Sequence, residues 1–112
     1  MSPLQITSRD ATTGPVLEVI GELDHANADQ LRERLTALTL QPGQRLVLDL
    51  AGMAFCDSSG ITALIAARNH AQDAHAAVAL AAVPAGTLRI LRVAGLDLVF
   101  PLYTDSEAAT RP

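Results

Sequence analysis

The chain has 112 residues, a hydrophobic fraction of 49% with only 3% aromatics, and a formal net charge of −4. That is the size of one ordinary domain with a core of Leu, Val, Ile and Ala, and its acidity argues against nucleic acid and against an anionic membrane surface as partners. The single cysteine, Cys56, excludes an internal disulfide and with it a secreted disulfide scaffold.

The opening Met1-Ser2-Pro3-Leu4-Gln5 lacks a basic region followed by an apolar one, so no signal peptide is expected. The first predicted element is a short strand over Leu4-Gln5-Ile6-Thr7. Turn chemistry follows from Asp10 to Pro15. Val16 to Ile20 is a second strand, hairpin-paired with the first, and Gly21 to Ala26 leaves it as a loop. Asn27 is placed to cap the next helix, with Gln30 completing a capping box. Leu31, Leu35 and Leu38 recur at i, i+4 and i+7, an inward face, and Arg32, Glu33 and Arg34 include the wet side.

Pro42-Gly43 ends that segment. Leu46 to Leu50 is a mostly apolar strand of the kind found at the centre of a sheet, interrupted by Asp49, which suits either an exposed edge or a hydrogen-bonded buried acid. Phe55-Cys56-Asp57-Ser58-Ser59-Gly60 then leads into a helix over Ile61 to Ala71, with Ile61, Leu64 and Ile65 on one face. Ala77 to Ala81 is a further buried strand. Ala76 to Pro84 is the richest apolar stretch and falls well short of the roughly 20 residues of a membrane helix, so a soluble cytoplasmic protein is expected. Thr87 to Ala94 reads as a helix with Leu88, Leu91 and Ile90 inward and Gly95 as its C′ residue. Val99 to Leu102 is a last short strand. Thr104-Asp105-Ser106-Glu107 is a second capping-box pattern opening a helical stub. Arg68, Arg89 and Arg92 read as solvated helix faces.

Strands and helices thus alternate after an initial hairpin, with no linker or repeat. The expected fold is a single α/β domain over residues 1–112: a mixed, mostly parallel sheet of about four to five strands with packed helices and an antiparallel edge.

The segment around Ser58 lies between the carboxyl end of a strand and a helix start, where open α/β sheets place ligand sites. The bland reading is a capped helix, with Asp57 or Ser58 as N-cap. A catalytic serine would want Gly-x-Ser-x-Gly; Cys56 and Asp57 stand where the first glycine is needed, and His70 and His75 fall on or after the helix the serines begin. A phosphate cradle would want several glycines and a Lys, and the chain has no Lys. A phosphoacceptor fits better: an exposed serine at a helix start, beside Asp57 and near Asp24, where added charge changes a surface without unfolding it. His25, His70 and His75 form no plausible ligand cluster, so no metal is expected. Cys56, with apolar neighbours, reads as a buried thiol.

Gly21-Glu22-Leu23-Asp24, then Leu48-Asp49-Leu50-Ala51-Gly52-Met53 leading into Phe55 to Gly60, then Ala94-Gly95-Leu96-Asp97 with Val99-Phe100, resembles the STAS domain and, more narrowly, the bacterial anti-sigma factor antagonists. The likeness spans nearly the whole chain. It implies a non-enzymatic protein without cofactor. The unphosphorylated form would bind an anti-sigma factor that is a serine kinase, freeing the sigma factor. Phosphorylation would map to Ser58, with Ser59 the second choice, and a serine phosphatase would reset the switch. Asp24, Asp57, Ser58, Ser59 and Gly60 would form the partner surface, Gly60 leaving room for the kinase to approach. Asp24 also suits a loop-stabilising acid. Cys56 departs from the family's usual aliphatic residue. The alternatives are a scaffold or transport-associated STAS subunit making a permanent assembly contact, and a small hydrolase using Ser58.

Overall fold

The computed structural model describes residues 3–112. The first hairpin joins β1 (Gln5–Ala11) to β2 (Gly14–Leu23) in antiparallel register, Ile6 facing Val19 and Ala11 facing Gly14. Both strands outrun their predicted bounds. The turn shrinks to Thr12-Thr13, and Gly21 to Leu23 belong to β2 rather than to a loop. The physical reason is pairing: Gly21, Glu22 and Leu23 are held by a strand that hydropathy did not mark.

That strand is β4 (Met53–Cys56). It pairs parallel with the far end of β2, Glu22 opposite Phe55 and Leu23 opposite Cys56. β3 (Arg45–Asp49), expected over Leu46 to Leu50, pairs parallel with the near end, Val16 opposite Val47. So β3 and β4 lie one after the other along β2, with a turn at Leu50 to Gly52 between them. Asp49 braces this turn, its Oδ1 accepting the Ala51 N–H at 3.1 Å. It is therefore a half-buried turn acid, neither of the two alternatives read from the sequence.

Two more parallel strands complete the sheet. β5 (Ala77–Ala81) has its predicted bounds and pairs with β3; β6 (Leu102–Tyr103) pairs with β5. The order is β1-β2-β3-β5-β6, with β4 alongside β2, giving a six-stranded mixed sheet. The last strand sits later than predicted because Leu96–Leu98 form a 3-10 turn and the Phe100 ring is buried in the core, leaving Leu102 to reach β5.

Helices α1 (Ala28–Ala37), α2 (Ser58–Asp73) and α3 (Ala85–Val93) cover one face of the sheet. Leu31 and Leu35 of α1, Ala63, Leu64, Ala67 and Ala71 of α2 and Leu91 of α3 join Leu17, Leu46, Leu48 and Leu80 of the strands in the main core. Alanines on α2 are the low-volume residues that let a helix lie close to a sheet. Ile90 is 43% exposed, so the inward residues of α3 are Thr87 and Leu91 rather than Ile90. Gly95 takes φ +75° after α3, the left-handed conformation its place as C′ residue demands.

The other face carries a smaller cluster, Val16, Val47 and Ala81 under Ala109 of α4 (Ser106–Ala109). The cap of α4 is Asp105, whose Oδ1 accepts the Ala108 N–H at 2.8 Å, not Thr104. Among the described residues no helix is long and apolar enough to cross a membrane.

Candidate functional site

Two loops meet at the carboxyl ends of β2 and β4. The first follows β2. Asp24 Oδ1 accepts the Ala26 N–H at 2.9 Å, and Asn27 closes the loop by accepting the Asp24 N–H at 2.9 Å and donating to the Glu22 carbonyl at 2.8 Å. Asn27 thus stands at the N-cap of α1 with its carbonyl accepting the Gln30 N–H at 2.9 Å but its side chain making no bond to the helix start, and the expected Asn27–Gln30 capping box does not form. Its side chain is committed backwards to the loop. Asp24 is, on this geometry, a loop-bracing acid that remains half-exposed.

The second loop is a single residue. Asp57 leaves β4 and caps α2, its Oδ1 accepting the N–H groups of Ser59 at 2.8 Å and Gly60 at 3.1 Å. Two otherwise orphaned donors are satisfied by one carboxylate oxygen at the positive end of the helix. The other oxygen, Oδ2, accepts the His25 N–H at 3.3 Å, and the Asp57 N–H donates to the Leu23 carbonyl at 3.2 Å. Asp57 is therefore the bolt between the two loops. The His25 ring stands 4.0 Å from Oδ2 with its side chain 85% exposed. Its proximity to Asp57 came from tertiary structure; nothing in the local sequence signalled it.

Ser58 is the first residue of α2 and is exposed. Its carbonyl accepts the Thr62 hydroxyl at 3.0 Å. Among the described residues its own hydroxyl takes part in no hydrogen bond, so it serves no structural end there. Ser59 is half-buried beside it.

Gly60 proves to have another purpose than opening space for a visitor. It is buried, and a Cβ there would stand 2.5 Å from Cys56 Sγ and 2.9 Å from Leu23 Cγ. The missing side chain lets the first turn of α2 sit against β2 and β4. Cys56 is buried, and burial first, then the Asp57 charge, pushes its thiol up to about 11. Such a thiol is a small hydrophobe at neutral pH, not a nucleophile.

Among the described residues no histidine is hydrogen-bonded to Ser58. His70 lies three turns along α2 from Ser58, about 18 Å at the helical rise, and its Nε2 is 3.0 Å from the Leu38 carbonyl oxygen. His25 is near, but no hydrogen bond orients its ring toward Asp57 or Ser58. Among the described residues no group of three or more His, Cys, Asp or Glu side chains is placed to hold a metal ion.

Residues 6–102 match the family model described as "Mlab, STAS domain". The chain belongs to the STAS domain family. It is 28% identical over 110 residues to an anti-sigma F factor antagonist of Lysinibacillus sphaericus, covering 96% of this chain and 91% of that one. The crystal structure of an anti-sigma factor antagonist from Mycobacterium paratuberculosis superposes with a TM-score of 0.83 at 27% identity, over 98% and 96% of the two chains. A sulfate transporter family protein from Wolinella succinogenes shares the fold alone, with a TM-score of 0.73 at 17% identity over 85% and 80%.

Proposed function

We propose that this chain is an anti-sigma factor antagonist, acting by binding rather than by turnover, and that phosphorylation of Ser58 switches the binding off. The observation that carries the reading is the division of labour at the start of α2. Asp57 does the capping and ties the loops together, Gly60 and Cys56 seat the helix, and Ser58 is left exposed with a free hydroxyl. The names of the relatives support the same role.

The partner in this proposal is an anti-sigma factor serine kinase, and a serine phosphatase restores the unmodified form. Asp24, Asp57, Ser58 and Ser59 face the partner, and Gly60 contributes by placing the helix start. A phosphate on Ser58 would bring nearly two negative charges next to Asp57 while gaining from the helix dipole. The fold is retained and the surface becomes more strongly negative. Against a complementary partner, juxtaposed like charges cost several kcal/mol, roughly two or more decades of affinity.

Intact mass and peptide mapping of the protein from its native cells test this first. Phosphate on the peptide containing Asp57-Ser58-Ser59 at Ser58 is the expected result, and phosphate at Ser59 would move the acceptor by one residue. Its repeated absence under growth and stress would favour a permanent assembly contact by a scaffold or transport-associated subunit instead.

A further inference from the structure

Outside the switch loops, an open groove lies between α3 and the carboxyl ends of β5 and β6. It encloses about 350 Å³. Ala82, Val83, Leu88 and Leu102 give it apolar walls, and Arg92, Tyr103 and Thr104 bring polar groups to it. Leu102 is 37% exposed although its strand ends the sheet, so the apolar wall faces solvent. The volume falls within the range of small-molecule sites, and the carboxyl ends of parallel strands are where open α/β sheets bind ligands.

The chain turns sharply at this groove. Ala82 holds φ +53°, left-handed backbone that a residue with a Cβ adopts at a cost of about 1 kcal/mol or more. Its N–H donates to the Tyr103 carbonyl at 3.0 Å, fixing the turn out of β5 against β6. Arg92 is the charged group of the groove. Among the described residues the close contacts of basic side chains with carboxylates join His25 to Asp57, Arg32 to Asp29 and Arg111 to Glu107, and the Arg92 guanidinium has no carboxylate partner among them. No acidic residue lines the groove, although the protein as a whole is acidic. The neighbouring Asp105 is occupied as the cap of α4.

An apolar cleft with one unpaired guanidinium at its rim matches an amphipathic anion: a hydrocarbon body for the walls and a carboxylate for the fork of Arg92. We propose that this groove binds a small apolar monocarboxylic acid of medium chain length, its carboxylate on Arg92 and its chain between Leu88 and Leu102. The site is separate from Ser58 and does not depend on the antagonist role. Nothing covalent is involved.

The test uses the intact protein, uniformly labelled with nitrogen-15, titrated with octanoate below its aggregation concentration, with octanol as the uncharged control. Saturable amide shifts confined to Ala82, Val83, Leu88, Arg92 and the Leu102–Thr104 segment are expected. Octanoate should bind about fivefold more tightly than octanol, the worth of a solvent-accessible charge pair, and Arg92→Gln should erase that difference while leaving the spectrum otherwise folded. Shifts scattered over the surface, shifts appearing only once octanoate aggregates, equal binding of the alcohol, or an unaltered preference in Arg92→Gln would each overturn the proposal.

Discussion

Asp57 does more for this fold than any neighbour in its motif, because one carboxylate serves two helix donors and one loop donor. Asp57→Ala should cost about 1 kcal/mol or more through the cap alone, and Asp57→Asn should recover part of it; urea denaturation at pH 7 measures both. Gly60→Ala should also destabilise, by roughly 1–3 kcal/mol, despite alanine's better helix propensity. The added methyl meets Cys56 Sγ and Leu23 Cγ, and shrinking one neighbour in the double variant Cys56→Ala/Gly60→Ala should return part of the loss. Cys56 itself predicts a pH effect. Its thiol titrates ordinarily near 9.0 and in the fold near 11, so between those values the unfolded chain has lost a proton that the native one keeps. Deprotonation then favours the unfolded state, and stability should fall as pH rises from 9 toward 11. The fall should be smaller in Cys56→Ala, and iodoacetamide should label native Cys56 slowly at pH 8.

At the scale of elements, α4 is too short to be stable alone and is held by what it touches. An Arg45 guanidinium nitrogen, from β3, donates to the Ala109 carbonyl at 2.8 Å and to the Arg111 carbonyl at 3.1 Å, and the group lies 5.6 Å from the centre of the Tyr103 ring. Thr13 of the first hairpin adds a bond to the Thr110 carbonyl at 3.3 Å. Arg45→Met should cost about 1–2 kcal/mol. Its signature should be local: amides 108–110 should exchange faster, while those of β2 and β3 keep their protection. Equal loss of protection throughout the sheet would show that Arg45 matters to the whole fold rather than to this clamp.

For the whole molecule, the consequence of a small exposed serine on a well-braced helix start is that charge can be added there without refolding. Ser58→Asp should leave stability within about 0.5 kcal/mol of the parent, while lowering affinity for the anti-sigma partner substantially; Ser58→Ala should keep binding and lose phosphorylation. Unchanged affinity in Ser58→Asp, with the far-UV CD spectrum intact, would remove the charge mechanism. Unfolding should be a single transition, because the main core runs without a break from α1 to α3 through the sheet. Tyr103 is the sole tyrosine and sits on β6 at the sheet edge, so its fluorescence and far-UV CD should report the same midpoint.

Much of the fold was legible because periodicity survives in single segments. Leu31 and Leu35 marked the inner face of α1, the unbroken apolar run marked β5, and Gly95 marked the end of α3. What failed was local in signal and long-range in cause. Met53–Cys56 is too short and too mixed to read as a strand until β2 is beside it, and Asn27 looked like a cap until Glu22 and Asp24 claimed its side chain. Ile90 looked inward because the pattern cannot tell which of two adjacent apolar residues the sheet will cover. The sequence by itself determined the order of the elements other than β4 and the 3-10 turn, most of the apolar faces, and the motif at Asp57-Ser58-Ser59-Gly60, since these depend on spacing along one segment. Only the tertiary structure decided that Gly60 faces inward, that Asp57 ties two loops together and that Arg92 stands unpaired over an apolar groove, because each of those depends on residues far apart in the chain arriving within a few ångströms of one another.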